Sequence, residues 1–101
     1  MEKNSFIRYH YSDDVHDAVV KSVRHESEEL QVHIETAEGQ SVTLSFTGVQ
    51  SVNAHQAEGM VLYSLSEMES LPPYRNFVFA NSDDDDLARL EIVAQGVQRE
   101  R

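Results

Sequence analysis

The feature of this sequence that most constrains its fold is a strict alternation of apolar and polar side chains in two neighbouring segments. The segments are residues 30–35 and 41–47, and a short polar stretch that contains Gly39 separates them. Alternation with a period of two is typical of a β-strand with one buried face, and glycine can adopt the positive φ of a tight turn. The pattern predicts an antiparallel hairpin with five apolar side chains on one face: Val32, Ile34, Val42, Leu44 and Phe46.

Residues 17–24, which precede this hairpin, fit two structures. Their apolar side chains continue a helical spacing that begins at Val15, and Ser12 could cap such a helix. The segment is, however, rich in β-branched valine and reaches the hairpin through a short polar turn at 25–29. Because an antiparallel neighbour needs only a short connection, we expect a strand here rather than a helix.

Three further segments favour strands. Residues 6–11 and 74–80 are rich in aromatic or β-branched side chains, which strands prefer. Residues 87–94 show the alternation of a strand, since Leu90, Ile92 and Ala94 alternate with Arg89, Glu91 and Val93. The polar and acidic stretch 81–86 favours an exposed turn between the last two. The C-terminal third is therefore expected to form a second hairpin.

Other segments are ambiguous. Residues 60–65 fit a strand or a short helix, residues 53–58 a loop or a weak helix, and residues 97–101 a strand continuation or a frayed end. The whole pattern predicts five to seven strands and at most two helical turns. We expect one mainly β domain over residues 1–101, or an α+β domain with a short helix, built on a single antiparallel sheet that is curled or sandwich-like.

The composition excludes several classes of protein. The chain has 101 residues, 18 acidic and 8 basic side chains, a net charge of −10 and no cysteine. A chain of this length forms one domain, and the lack of cysteine excludes disulfides and favours a reducing cytoplasm. The negative charge disfavours nucleic acid and anionic lipid and favours a basic protein partner. Since no apolar run approaches the ~20 residues of a membrane helix and no signal peptide is evident, we expect a cytoplasmic protein without a membrane partner.

Motifs typical of catalysis are missing from the sequence. It has no cysteine nucleophile and no Gly-x-Ser-x-Gly motif, and its four glycines are isolated rather than grouped in a phosphate-binding loop. The four aspartates at 83–86 lack the glycine and the terminal glutamate of a calcium loop, so a solvated turn is favoured. We therefore expect no enzyme activity, no catalytic residue, no cofactor and no metal.

One group of polar side chains is dense enough to be a candidate site. His10, Asp14, His16 and Asp17 lie within eight positions of one another, and imidazole and carboxylate groups are metal ligands. The adjacent His16 and Asp17 also match the dipeptide of a class of metal-dependent phosphohydrolases, but those enzymes are all-helical. We favour a polar cluster at the entry to a strand, with Asp17 bonded to backbone amides, and keep a metal site as the alternative.

A longer stretch of the chain resembles a known group of proteins. The stretch combines His16, Asp17 and Ala18, the valines that follow, the alternating residues 30–34 and the sequence Leu-Ser-Phe-Thr-Gly-Val at 44–49. This arrangement is similar to that of small bacterial domains of unassigned function, some of which are grouped with the immunity proteins of polymorphic toxin systems. The resemblance covers about residues 15–52. It implies a β-rich fold and a non-catalytic role, and it carries over no catalytic residue.

The residues and the resemblance together support three hypotheses about function. The first is a protein-binding domain with a basic partner, in the manner of a toxin-neutralising immunity factor. The second is a metal-dependent enzyme or metal-binding protein that uses the four polar residues His10, Asp14, His16 and Asp17. The third is a homodimer formed through an exposed strand edge, for which residues 6–11 and 93–98 are the candidates.

Overall fold

The computed structural model describes residues 5–82 and 87–100. This part of the chain forms nine strands and one helix of four residues. In chain order the elements are β1 Phe6–Tyr9, α1 Ser12–Val15, β2 Val19–Glu26, β3 Glu29–Glu35, β4 Ser41–Thr47, β5 Ser51–His55, β6 Leu62–Met68, β7 Arg75–Asn81, β8 Arg89–Ala94 and β9 Gly96–Glu100. Residues 83–86, which were expected to form a turn, lie outside the described residues.

The strands form two antiparallel sheets. The five-stranded sheet has the order β1-β6-β7-β8-β5, and the four-stranded sheet has the order β2-β3-β4-β9. The prediction of a mainly β chain with a short helix is confirmed, but the prediction of a single sheet of five to seven strands is wrong. A single open sheet leaves one face of its strands without an apolar partner, whereas two sheets that face each other bury both inner faces in one core.

Two short breaks carry the chain from one sheet to the other. Residues 48–50 separate β4 from β5, and Gln95 alone separates β8 from β9. The breaks lie side by side, since the Gln95 amide donates to the Thr47 carbonyl at 2.9 Å and the Gln50 amide donates to the Val93 carbonyl at 2.7 Å. A change of sheet leaves little trace in the sequence pattern, which explains why more strands form than the pattern predicts.

The predicted central hairpin is confirmed. β3 and β4 pair antiparallel with Val32 opposite Leu44, and Gly39 in the turn has a φ of 84°. All five apolar side chains expected on one face are buried in the core. On the other face the His33 ring and the Thr43 hydroxyl form a cross-strand hydrogen bond of 2.8 Å between Nδ1 and Oγ1. The alternation of the sequence thus identified both the pairing and the buried face.

The segment before the hairpin is a strand, as expected. β2 pairs antiparallel with β3. The helical spacing has another origin, because Val15 enters the core from α1 and Ala18 enters it from the connection that leads to β2. Ser12 does not cap a long helix but begins the short α1, and Tyr11 precedes it with a φ of 52°.

The three ambiguous segments all contribute strands. β6 includes most of residues 60–65, and β9 includes most of residues 97–101. The prediction of a loop or weak helix at 53–58 is wrong for its first residues, because β5 continues to His55. β5 is an edge strand with mostly exposed side chains, so its sequence lacks alternation, and only its pairing with β8 defines it as a strand.

The two sheets meet through a cluster of aromatic rings. Phe46 on β4 packs edge-on against Phe77 and Phe79 on β7, with ring centroids 5.2 and 6.0 Å apart. All three side chains are buried. Because edge-to-face packing adds to the free energy gained by burial, this cluster is a principal contact between the sheets.

A side chain at Gly48, the first residue of the break between β4 and β5, should destabilise the fold. Its φ is +61°, and a Cβ atom there would lie 2.8 Å from Cγ and Cδ of Gln95. Gly48→Ala requires a left-handed alanine and a shift of Gln95, so we expect it to lower the free energy of unfolding by about 1–3 kcal/mol in urea titrations. Gly96→Ala is the control, since its φ is not left-handed and its nearest contact is 3.4 Å from Thr47 Oγ1. Equal losses in the two variants would contradict the steric argument.

Candidate functional site

The structure places the four residues of the predicted polar cluster in different surroundings. His10 and Asp14 are largely buried, and each pairs with a residue of a distant strand. His16 and Asp17 are exposed and adjacent, with His16 Nε2 3.7 Å from Asp17 Oδ2. Within residues 5–82 and 87–100, no group of three or more histidine, cysteine, aspartate or glutamate side chains is placed to hold a metal ion. The structure thus separates the predicted cluster into two buried and two exposed residues, and the metal alternative stays a prediction.

His10 belongs to a buried network around Glu67 on β6. Nη2 and Nε of Arg75 donate hydrogen bonds of 2.8 Å to Oε1 and Oε2 of Glu67, and His10 Nε2 lies 2.8 Å from Oε1. The hydrogen bonds of Arg75, helped by that of His10, outweigh the opposing effect of burial and lower the pKa of Glu67 from 4.5 to about 2. The same bonds raise the pKa of Arg75.

The Glu67 network ties together three neighbouring segments of the five-stranded sheet. A carboxylate with so low a pKa is a weak base at neutral pH, whereas general-base catalysis needs a pKa near the working pH. Glu67 joins β6 to β7 through Arg75 and joins β6 to the residue after β1 through His10. Pro72 and Pro73 favour a connection over residues 67–73 in the sequence, but this prediction is wrong for its first two residues, because β6 continues to Met68. Glu67 lies two residues after the buried Leu65 on the same strand and is buried as well. This alternation is the sign in the sequence that Glu67 faces the core.

Asp14 attaches α1 to the last strand. Its Oδ2 accepts a hydrogen bond of 2.7 Å from Nη1 of Arg99 on β9, and the guanidinium carbon of Arg99 lies 5.3 Å from the centre of the Tyr11 ring. The Asp14 side chain is buried. Because the two partners are 85 positions apart, no local pattern could predict their contact.

Four exposed rings, those of Phe6, Tyr9, His16 and Tyr63, form what we call the aromatic patch. Phe6 and Tyr9 belong to the edge strand β1, and their ring centroids are 4.7 Å apart. The register of β1 shifts between Phe6 and Arg8, an irregularity that can bring side chains three positions apart to the same side of a strand. Tyr63 on the neighbouring strand β6 packs edge-on against His16 at 5.5 Å.

Part of the aromatic patch lines a shallow hollow, the tyrosine depression, of about 190 Å³. Its lining residues are Tyr9, Ser12, His16, Tyr63 and Ser64. Tyr9 and Tyr63 are each 56 % exposed, and His16 Nδ1 donates a hydrogen bond of 3.2 Å to the Tyr63 carbonyl, which orients the imidazole. In the sequence, the aromatic residues near the N-terminus indicate only a strand. A strand pattern does not show which aromatic side chains lie uncovered at the edge of a sheet.

Comparison of the chain with protein-family models, with curated proteins and with solved structures finds no match. The resemblance to small bacterial domains and immunity proteins therefore stays a prediction. Of the residues that the structure describes, none form a helix that is both long and apolar enough to cross a membrane.

Proposed function

We propose that this protein acts by binding another protein through the aromatic patch and that it catalyses no reaction. The observation that carries the proposal is the exposure of Phe6, Tyr9 and Tyr63 at one edge of the five-stranded sheet. Aromatic side chains are enriched in the cores of protein interfaces. A partner that covers them removes apolar surface from water, which contributes about 25 cal/mol per Å².

The charge of the chain favours a basic partner. The net charge is −10, and two acidic residues within three positions of the patch residue His16, Asp13 and Asp17, are exposed. A negative surface steers a positively charged protein and raises its association rate, and added salt screens this attraction. A cytoplasmic location, which the lack of cysteine favours, is part of the same proposal.

The resemblance of residues 15–52 suggests the biological role. A toxin-neutralising immunity factor needs a surface complementary to its toxin and no chemistry of its own. In this proposal the partner is a basic toxin. A gene for a secreted toxin beside the gene for this protein would support that role.

The protein-binding function is tested by capture on immobilised protein. We expect the wild-type chain to retain a basic partner from a lysate at low salt, and less of it as salt is added. The double variant Tyr9→Ser/Tyr63→Ser should retain at least about tenfold less, because it removes both central rings of the patch. Quantitative mass spectrometry of the retained proteins measures both effects.

Leu71→Ser is the matched control for this experiment. Leu71 lies outside the patch, between β6 and β7, and is 83 % exposed, so its replacement removes exposed apolar surface without touching the patch. It should retain the partner as the wild type does. Equal retention by the double variant and the wild type, or no basic protein retained at low salt, would contradict the proposal.

An edge strand also favours a second candidate, a homodimer that pairs through β1. β1 lies at the edge of its sheet with all four residues exposed, whereas residues 93–98 offer an edge only in β9, since β8 lies between β7 and β5. Light scattering over a range of concentrations shows whether the protein forms this homodimer. A mass of two chains that falls to one in Tyr9→Ser/Tyr63→Ser supports the dimer, and a constant mass of one chain excludes it.

A further inference from the structure

The tyrosine depression offers aromatic surface and hydrogen-bond acceptors side by side. Two half-exposed tyrosine rings, Tyr9 and Tyr63, lie on its lining, and the exposed ring of His16, the residue after α1, packs against Tyr63 there. A volume of about 190 Å³ in an open hollow suits one protruding side chain of a partner rather than an enclosed small molecule. The chemistry of the hollow therefore indicates which kind of partner side chain it can bind.

When its ring is neutral, His16 turns a hydrogen-bond acceptor towards the carboxylate of Asp17. Nδ1 donates to the Tyr63 carbonyl, which can only accept, so in the neutral ring Nε2 is an acceptor. Nε2 lies 3.7 Å from Oδ2 of Asp17, and a carboxylate oxygen is also an acceptor. Both side chains are more than half exposed. A partner group with at least two N–H donors can replace water at this exposed pair and bridge the two acceptors.

The fold itself shows which group combines with an aromatic ring and a carboxylate. The guanidinium of Arg75 lies 5.1 Å from the centre of the Phe77 ring while it hydrogen-bonds a carboxylate, and Arg99 does the same with the Tyr11 ring and Asp14. The tyrosine depression has the rings of Tyr9 and Tyr63 on its lining, and the carboxylate of Asp17 lies beside it, 3.7 Å from Nε2 of the lining residue His16. Over residues 5–82 and 87–100, no arginine lies in this way on Tyr9 or Tyr63.

We infer that the tyrosine depression binds an arginine side chain of a basic protein partner. The guanidinium stacks on the ring of Tyr63 and donates to Nε2 of His16 and to the carboxylate of Asp17. Arginine suits this arrangement better than lysine, because its planar group stacks on rings and presents several donors in fixed directions. The inference rests on the proposed protein-binding function and specifies the chemistry of the partner, in keeping with the net charge of −10.

The inference is tested with three small probes in nuclear magnetic resonance titrations at slightly alkaline pH. The probes are the N-acetyl amides of arginine, lysine and citrulline; citrulline has nearly the shape of arginine but no charge. We expect the arginine probe to shift the signals of Tyr9, His16 and Tyr63 saturably, with an affinity several-fold higher than that of the lysine probe. The citrulline probe should cause no saturable shift.

Two variants and a control locate the site. Tyr63→Leu removes the ring and Asp17→Asn removes the charge; asparagine is suitable because it tolerates the positive φ of Asp17, 66°. Each should weaken the arginine probe by about tenfold. Glu38→Gln makes the same change of charge at an exposed residue of the β3–β4 turn and should leave the affinity unchanged.

The outcomes separate this inference from the proposed function. Shifts scattered over the surface, equal affinities for the arginine and lysine probes, or equal losses in Asp17→Asn and Glu38→Gln would overturn the arginine site. The capture experiment with Tyr9→Ser/Tyr63→Ser would still decide whether the patch binds a protein. If Tyr9→Ser/Tyr63→Ser fails to retain a partner that Asp17→Asn retains fully, the proposed function stands and the arginine site is refuted.

Discussion

Replacing Phe46 with alanine is expected to lower the free energy of unfolding by about 3–5 kcal/mol, measured by urea titration. Phe46 is fully buried, and its ring joins the two sheets by packing edge-on against Phe77 and Phe79. The variant loses the transfer free energy of the ring and leaves a cavity that two paired sheets cannot easily close. A domain of this size is stable by about 5–15 kcal/mol, so the expected loss is a large share of the total stability.

Two other phenylalanine variants serve as comparisons for the loss expected in Phe46→Ala. Phe46→Leu keeps most of the apolar volume and should lose only about 1–2 kcal/mol. Phe6→Ala removes an equal ring from the exposed edge strand β1, where half of the side chain is already in contact with water, and should lose less than about 1 kcal/mol. A loss in Phe46→Ala no larger than that in Phe6→Ala would show that the sheets are not held together at this point.

Breaking the network around Glu67 should have the next largest effect. We expect Arg75→Met to destabilise the fold by about 2 kcal/mol at neutral pH, because it leaves a buried carboxylate without its principal partner. Losses of roughly 3–5 kcal/mol are typical when one member of a fully buried pair is removed. The Arg75 side chain is 35 % exposed, so water reaches the pair and the expected loss is smaller.

The pH dependence of stability gives an independent measure of the same network. Glu67 has a pKa of about 2 in the folded protein, compared with the ordinary 4.5 that applies to the unfolded chain. Its stabilising contribution is therefore fully present above the unfolded pKa and is lost as the pH falls towards the folded pKa. This contribution amounts to about 3 kcal/mol. Denaturant titrations at a series of acidic pH values measure it.

Glu67→Gln should make the loss of stability between about pH 5 and pH 2 smaller than in the wild type, because the titrating group is gone. Glu38→Gln, at an exposed position in the turn, should leave the acidic limb of the profile as it is. The double variant Glu67→Met/Arg75→Met should recover part of the stability lost in Arg75→Met, since it leaves no unpaired charge. An acidic limb that is the same in Glu67→Gln and in the wild type would refute the assignment.

The candidate site was less accessible to sequence reasoning than the fold. His16 and Asp17 were identified as candidate site residues because polar side chains are dense in that part of the sequence. The structure keeps these two residues together at the surface. Their neighbours Tyr9 and Tyr63 were not, because an aromatic residue in a strand looks the same in the sequence whether it faces the core or an open edge. His10 and Asp14 have partners 57 and 85 positions away. Contacts of that range depend on how the sheets are assembled.

The sequence by itself determined the local structure where one face of a strand is buried. The alternation at 30–35 and 41–47 identified β3, β4 and the five side chains that they bury, since the period of a strand is a property of neighbouring residues. Only the tertiary structure decided that the chain changes sheet at Gly48 and Gln95 and that Glu67 lies inside. It also decided that β1 is an edge whose aromatic side chains stay uncovered. These features depend on which strands become neighbours, and that choice is made by the burial of the whole core rather than by any single segment.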